Sequence, residues 1–186
     1  DTTMEKMSPA KKIVTCAVCM ALCVVLPIAV HAIPNSGVML SPMHIPVLLC
    51  GLVCCWQYGF ACGLIGPVLS CMISGMPPAG PVLYGMLIEL SVYGIVSGLL
   101  LRLVKTGKTL PDLYISLVGA MLAGRIIGGV AKALFFSSGA YTLKMWATAY
   151  FVSSLPGILL HLILVPILYL ALQRAHLIPV RYGEKR

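Results

Sequence analysis

Residues 13–88 read IVTCAVCMAL CVVLPIAVHA IPNSGVMLSP MHIPVLLCGL VCCWQYGFAC GLIGPVLSCM ISGMPPAGPV LYGMLI, 76 consecutive positions without one Asp, Glu, Lys or Arg. No surface facing water tolerates such a run, which has room for about three membrane spans of ~20 residues. Pro27, Pro34, Pro42, Pro46, Pro67, Pro77, Pro78 and Pro81 are expected to break it into pieces that begin or end near a membrane surface. Working outward, the apolar segments are 13–33, 43–57, 60–74, 82–101, 113–136 and 145–173, which predicts an all-α polytopic bundle of six transmembrane helices. The second and third segments, at 15 residues each, are short for a hydrocarbon core of about 30 Å.

With 60% apolar and 10% charged residues, residues 1–186 read as a single integral membrane domain with no soluble domain attached. The net charge of +8 gathers at the two ends and in one loop, so its polyanionic neighbour is lipid and not nucleic acid. If both termini are cytoplasmic, Lys6, Lys11, Lys12, Arg102, Lys105, Lys108, Arg174, Arg181, Lys185 and Arg186 all fall inside, ten of thirteen basic residues. That bias sets the expected topology: a cytoplasmic segment 1–12, a cytoplasmic tail 174–186, and outer loops at 31–42, 75–81 and 137–144. No small-residue cleavage site precedes the first span, and no cleaved signal peptide is expected.

The motifs exclude several chemistries. No phosphate-binding G-x-x-x-x-G-K-[ST] loop is present, so uphill transport would draw on an ion gradient or a partner's ATPase. There is no H-E-x-x-H, no G-x-S-x-G and no buried pair of carboxylates, hence no catalytic residue and no enzyme. Cys16, Cys19, Cys23, Cys50, Cys54, Cys55, Cys62 and Cys71 lie in the apolar run and read as packing residues; no metal and no cofactor is expected. No internal repeat supports an inverted-repeat carrier.

Two charges lie deep within predicted spans, Glu89 and Arg125, where an ionisable group persists only if it pairs or lines a polar cavity. Two roles fit them: a structural ion pair between the fourth and fifth helices, or a ligand site in which Arg125 meets an anion and Glu89 accepts from hydroxyl or amide donors. Lys132, two turns beyond Arg125, either extends a basic path outward or snorkels to headgroups. His44 and His161 are secondary pocket candidates, and Tyr93 joins them. Tyr84, Tyr141 and Trp146 suit a stacking wall or an interfacial belt, with the belt expected for Tyr141 and Trp146. Ala17 and Ala21 put two small residues one turn apart on a face that can dock another helix. Gly59/Gly63, Gly94/Gly98 and Gly124/Gly128 share that spacing and are expected to build the bundle itself.

The runs Ser41-Pro42-Met43-His44-Ile45-Pro46-Val47-Leu48-Leu49-Cys50-Gly51, Trp56-Gln57-Tyr58-Gly59, Gly66-Pro67, Ser74-Gly75-Met76-Pro77-Pro78 and Glu89-Leu90-Ser91-Val92-Tyr93-Gly94 together resemble the substrate-binding S components of energy-coupling factor (ECF) vitamin transporters, over residues 12–173. The resemblance implies a subunit of an ABC-type importer in a bacterial plasma membrane, with ATP hydrolysed by two partner ATPase subunits. It also implies that Ala17 and Ala21 form the Ala-x-x-x-Ala motif that docks on a transmembrane coupling subunit. The implied pocket opens outward, is built from the later helices and is covered by loops 31–42 and 75–81, with Glu89 and Arg125 at ligand-contact positions, and the subunit reorients in the bilayer to release its solute. Within the family the chain looks most like the branch that includes pantothenate carriers, while lipoate, a folate or a phosphorylated vitamin would suit the same pair, and a riboflavin-type vitamin is a further alternative. The rival classes are a stand-alone proton-coupled carrier, with Glu89 or His161 as relay, and a structural or lipid-binding membrane protein.

Overall fold

The computed structural model describes residues 7–34, 40–136 and 142–182, and every regular element among them is helical. Ser8 caps the first helix, α1 (Pro9–Val30), by accepting from the Lys11 N–H, and Pro9 opens it at a position whose N–H has no helical partner. Then come α2 (His44–Cys54) and α3 (Trp56–Ser74), parted only by Cys55, whose φ of 103° reverses the chain without a linker. Gly75, with φ 70°, closes α3 by returning its N–H to the Cys71 carbonyl. The next two helices are α4 (Pro81–Leu103) and α5 (Thr109–Ala131), the latter running into a π-helical turn, Lys132–Phe136. A short α6 (Leu143–Ala147) continues as a second π turn, Thr148–Val152, before α7 (Leu155–Arg174).

Among the described residues, five stretches are long and apolar enough to cross a membrane: Pro9–Val30, Trp56–Ser74, Pro81–Leu103, Thr109–Phe135 and Leu155–Arg174. Val18, Ile65, Val118, Ile127 and Ile163 are among the large apolar side chains they expose. Three expectations need correction. The third segment starts at Trp56, and its 19 residues are long and apolar enough to span. The last segment is not one helix, because Pro156 has no N–H to offer the Val152 carbonyl and its ring would collide there, so the chain restarts at Leu155. Pro27 and Pro67 interrupt nothing; they lie inside α1 and α3, as prolines in membrane helices can when neighbours shield the freed carbonyl.

Packing is closest where glycines meet. Gly51 of α2, Gly59 of α3 and Gly94 of α4 bring three backbones together: an added Cβ at Gly59 would stand 2.8 Å from Gly51 Cα and 2.5 Å from the Gly94 carbonyl oxygen. On α5, Gly124 leaves room for the Tyr93 ring and Gly128 for Glu89 Cβ. The glycine pairs expected to build the bundle therefore stand at its helix crossings.

All 11 residues of α2 are buried, enclosed by α1, α3, α4, α5 and α7. Its lower end is fixed by Lys12 Nζ, 3.7 Å from Cys55 Sγ, and its upper end by Cys23 Sγ, 3.9 Å from the Met43 carbonyl. At 1.5 Å per residue α2 is only ~16 Å long against ~28 Å for α3, so it starts about two turns below the last turn of α1. Antiparallel succession brings Lys11, Lys12, Arg102, Lys105, Lys108 and Arg174 to the end of the bundle opposite that recess. We call it the basic end.

Candidate functional site

The shortness of α2 leaves a space above it. A cavity of about 520 Å³ sits there, walled by Pro27 and Val30 of α1, the loop residues His31, Ile33, Pro34, Ser41, Pro42 and Met43, the Met76-Pro77-Pro78 loop, and Val82 and Met86 of α4, with His44 on its floor. Both loops named by the resemblance contribute. Volume and apolar lining are those of a small-molecule site.

Beneath the floor lies a buried polar cluster. The His44 Nδ1–H donates to the Ser41 carbonyl at 3.0 Å, and its Nε2 lies 3.4 Å from Glu89 Oε1. The Tyr93 hydroxyl donates to the same carboxylate oxygen at 2.7 Å; Glu89 and Tyr93 sit one turn apart on α4. A carbonyl only accepts, so His161 carries a proton on Nε2, which donates to the Ser41 carbonyl at 3.2 Å. The two imidazoles stack, 5.6 Å between centroids and 21° between planes. His161 Nδ1 is buried with no hydrogen-bond partner among the described residues.

The structure brings four of the expected candidates together here: His44, Glu89, Tyr93 and His161. Sequence reasoning did not foresee that one backbone carbonyl, that of Ser41, joins the two histidines 117 positions apart. Glu89 and Arg125 do not pair; no ion pair between them occurs among the described residues. Arg125 Nη1 instead donates to the Tyr150 carbonyl and, at 2.7 Å, to Ser154 Oγ, and its guanidinium stands 5.9 Å from the Phe151 ring centroid. It ties α5 to the second π turn and to the entry of α7, away from the cavity lining. Trp146 is half-buried and donates to the Arg125 carbonyl at 3.1 Å over Gly129, so it is more than an interfacial belt residue. Lys132 is exposed at the start of the first π turn, and Tyr84 is exposed near the start of α4. Tyr141, Lys6, Lys185 and Arg186 lie outside the described residues. Ala17 and Ala21 are exposed on α1, opposite its buried stripe of Cys16, Cys19, Cys23 and Pro27. Six of the eight cysteines are buried, all eight are free thiols, and no group of three or more His, Cys, Asp or Glu among the described residues could hold a metal ion.

A test of the Arg125 geometry follows. Arg125→Ala takes from Ser154 Oγ its guanidinium donor and leaves the Tyr150 carbonyl with the Ser154 hydroxyl; losing both charged hydrogen bonds is expected to cost about 1–3 kcal/mol, read as a lower melting temperature in detergent. An unchanged melting temperature would remove the structural role.

Helices of membrane-spanning length around a recessed apolar cavity define an integral membrane protein built to hold a small molecule. The chain belongs to the family of ECF transporter substrate-specific components, whose model it matches over residues 11–169. These are transport subunits and not enzymes themselves. Searches of curated proteins and of solved structures give no significant match.

Proposed function

We propose that this chain is the high-affinity solute-binding subunit of an ECF-type ABC importer, capturing a vitamin or related micronutrient in the cavity above His44. The observation that carries the reading is that cavity, about 520 Å³ and bounded by two loops and the start of a short, fully buried helix, in a chain of this family. In this reading the cavity opens outside and the basic end faces the cytoplasm, consistent with the placement of Lys11, Lys12, Arg102, Lys105, Lys108 and Arg174. His44 touches the solute, while Glu89, Tyr93 and His161 hold its ring in place. Ala17 and Ala21 dock on a transmembrane coupling subunit, two ATPase subunits supply the energy, and the subunit reorients to release its cargo. Pantothenate stands as one candidate through the resemblance; its carboxylate would require a cation, and no Lys or Arg is among the described residues that line the cavity.

Ala17→Trp or Ala21→Trp is expected to abolish ATP-dependent uptake by the reconstituted complex while leaving solute affinity within about twofold, because a bulky ring blocks only the outward face of α1. Uptake that survives both substitutions would sink the docking assignment. The buried His44–Glu89–Tyr93–His161 cluster favours a second reading, a proton-coupled carrier. That reading requires uptake by the chain alone in proteoliposomes, collapsed by a protonophore.

A further inference from the structure

We infer that the solute taken by the cavity above His44 is uncharged, with a largely apolar body and one hydrogen-bonding end, and is not a carboxylate or a phosphate. The inference rests on the binding-subunit reading and narrows it to a class of chemistry.

Among the described residues, no Asp, Glu, Lys or Arg lines the cavity; the polar ones that do are His31 at the exposed rim, Ser41, and His44 on the floor. Arg125, Lys132 and Lys144 do not line it: Arg125 donates to Tyr150 and Ser154, and Lys132 and Lys144 are exposed on the α5–α6 side. An anion entering here would lose its hydration and find no counter-charge, a cost of several kcal/mol.

A cation fares little better. The one carboxylate nearby, Glu89, lies behind the His44 ring, with Oε1 accepting from Tyr93 and facing His44 Nε2. Glu89 does not itself line the cavity, so the floor presents no carboxylate to a ligand. What it offers is an imidazole edge within a wall of Pro27, Val30, Met43, Met76, Pro77 and Met86. Such a lining rewards apolar contact area and one well-placed polar group.

The experiment titrates the purified wild-type protein with three pairs of probes that share a body and differ in a carboxylate: pantothenate and pantothenol, nicotinate and nicotinamide, biotin and biotinol. In every pair that binds, the uncharged member is expected to bind at least about tenfold tighter, as an unpaired buried carboxylate would dictate. Tighter binding of the acid overturns the inference and leaves the binding-subunit reading intact. No saturable binding by any of the six compounds overturns both.

Discussion

Gly94→Ala is expected to be the most damaging single methyl group that can be added to this protein. An added Cβ at Gly94 would fall against the Gly59 carbonyl group, closer than real Cβ atoms approach, and 2.8 Å from Gly59 Cα. The obstacle is backbone on an adjacent helix, so no rotamer change relieves it; α3 and α4 must separate, and α2 with them, because Gly51 shares the same crossing. Overpacking a tight core costs about 1–3 kcal/mol and occasionally more. A clash of backbone with backbone at a junction of three helices belongs at or above the top of that range. Gly85→Ala is the control on the same helix: nothing lies within 4 Å of its added Cβ. It is expected to leave stability unchanged or raise it by up to about 1 kcal/mol, since alanine is the better helix former. The check is a thermal melt and a gel-filtration profile of both variants in the same detergent. If the two behave alike, the close crossing is not what holds α3 to α4.

The glycine spacing and the apolar run made the helices and their crossings legible before any coordinates, because both signals are local and periodic. Helix ends were harder. Of the prolines, Pro27, Pro67 and Pro166 sit inside helices while Pro156 begins one, and the residue type alone does not distinguish them: neighbouring helices decide whether the freed carbonyl is shielded. The site was half legible for a related reason. Glu89 and Tyr93 share a face of α4 at a spacing of four residues, which periodicity reveals. The partner of Glu89 depends on how deep α2 begins, and that depth is set by the Cys55 reversal and the Cys23–Met43 contact, both tertiary facts. Hence Arg125, the obvious partner by charge, is bound to Tyr150 and Ser154, and the less conspicuous His44 stands at the carboxylate. Asp112 drew no attention in the sequence, since its partners lie 69 and 70 positions away in the tail.

Those partners make Asp112→Ala the second severe substitution. Asp112 is fully buried in the first turn of α5 and accepts four hydrogen bonds. Oδ1 takes the Thr106 N–H at 2.9 Å and the Thr106 hydroxyl at 2.7 Å, and Oδ2 takes Arg181 Nε at 2.8 Å and the Tyr182 hydroxyl at 2.5 Å. Arg181 Nη2 reaches on to the Leu101 and Val104 carbonyls at 2.6 and 2.5 Å, satisfying acceptors that the end of α4 leaves open. One buried ion pair thus closes α4, opens α5 and pins the tail. Removing the carboxylate strands a buried guanidinium, and breaking a buried pair from one side costs about 3–5 kcal/mol, far beyond the 0–1 kcal/mol of an exposed pair. The expected signs are a large fall in melting temperature and rapid tryptic cleavage after Arg181. Asp112→Ala with Arg181→Ala is expected to cost less than the sum of the two single changes, because the double variant buries no stranded charge. Strict additivity, or a loss below about 1 kcal/mol for Asp112→Ala, would show that the tail is held by other contacts. Arg181→Lys is expected to recover little, since one ammonium cannot reach Asp112 and two carbonyls as a planar fork does.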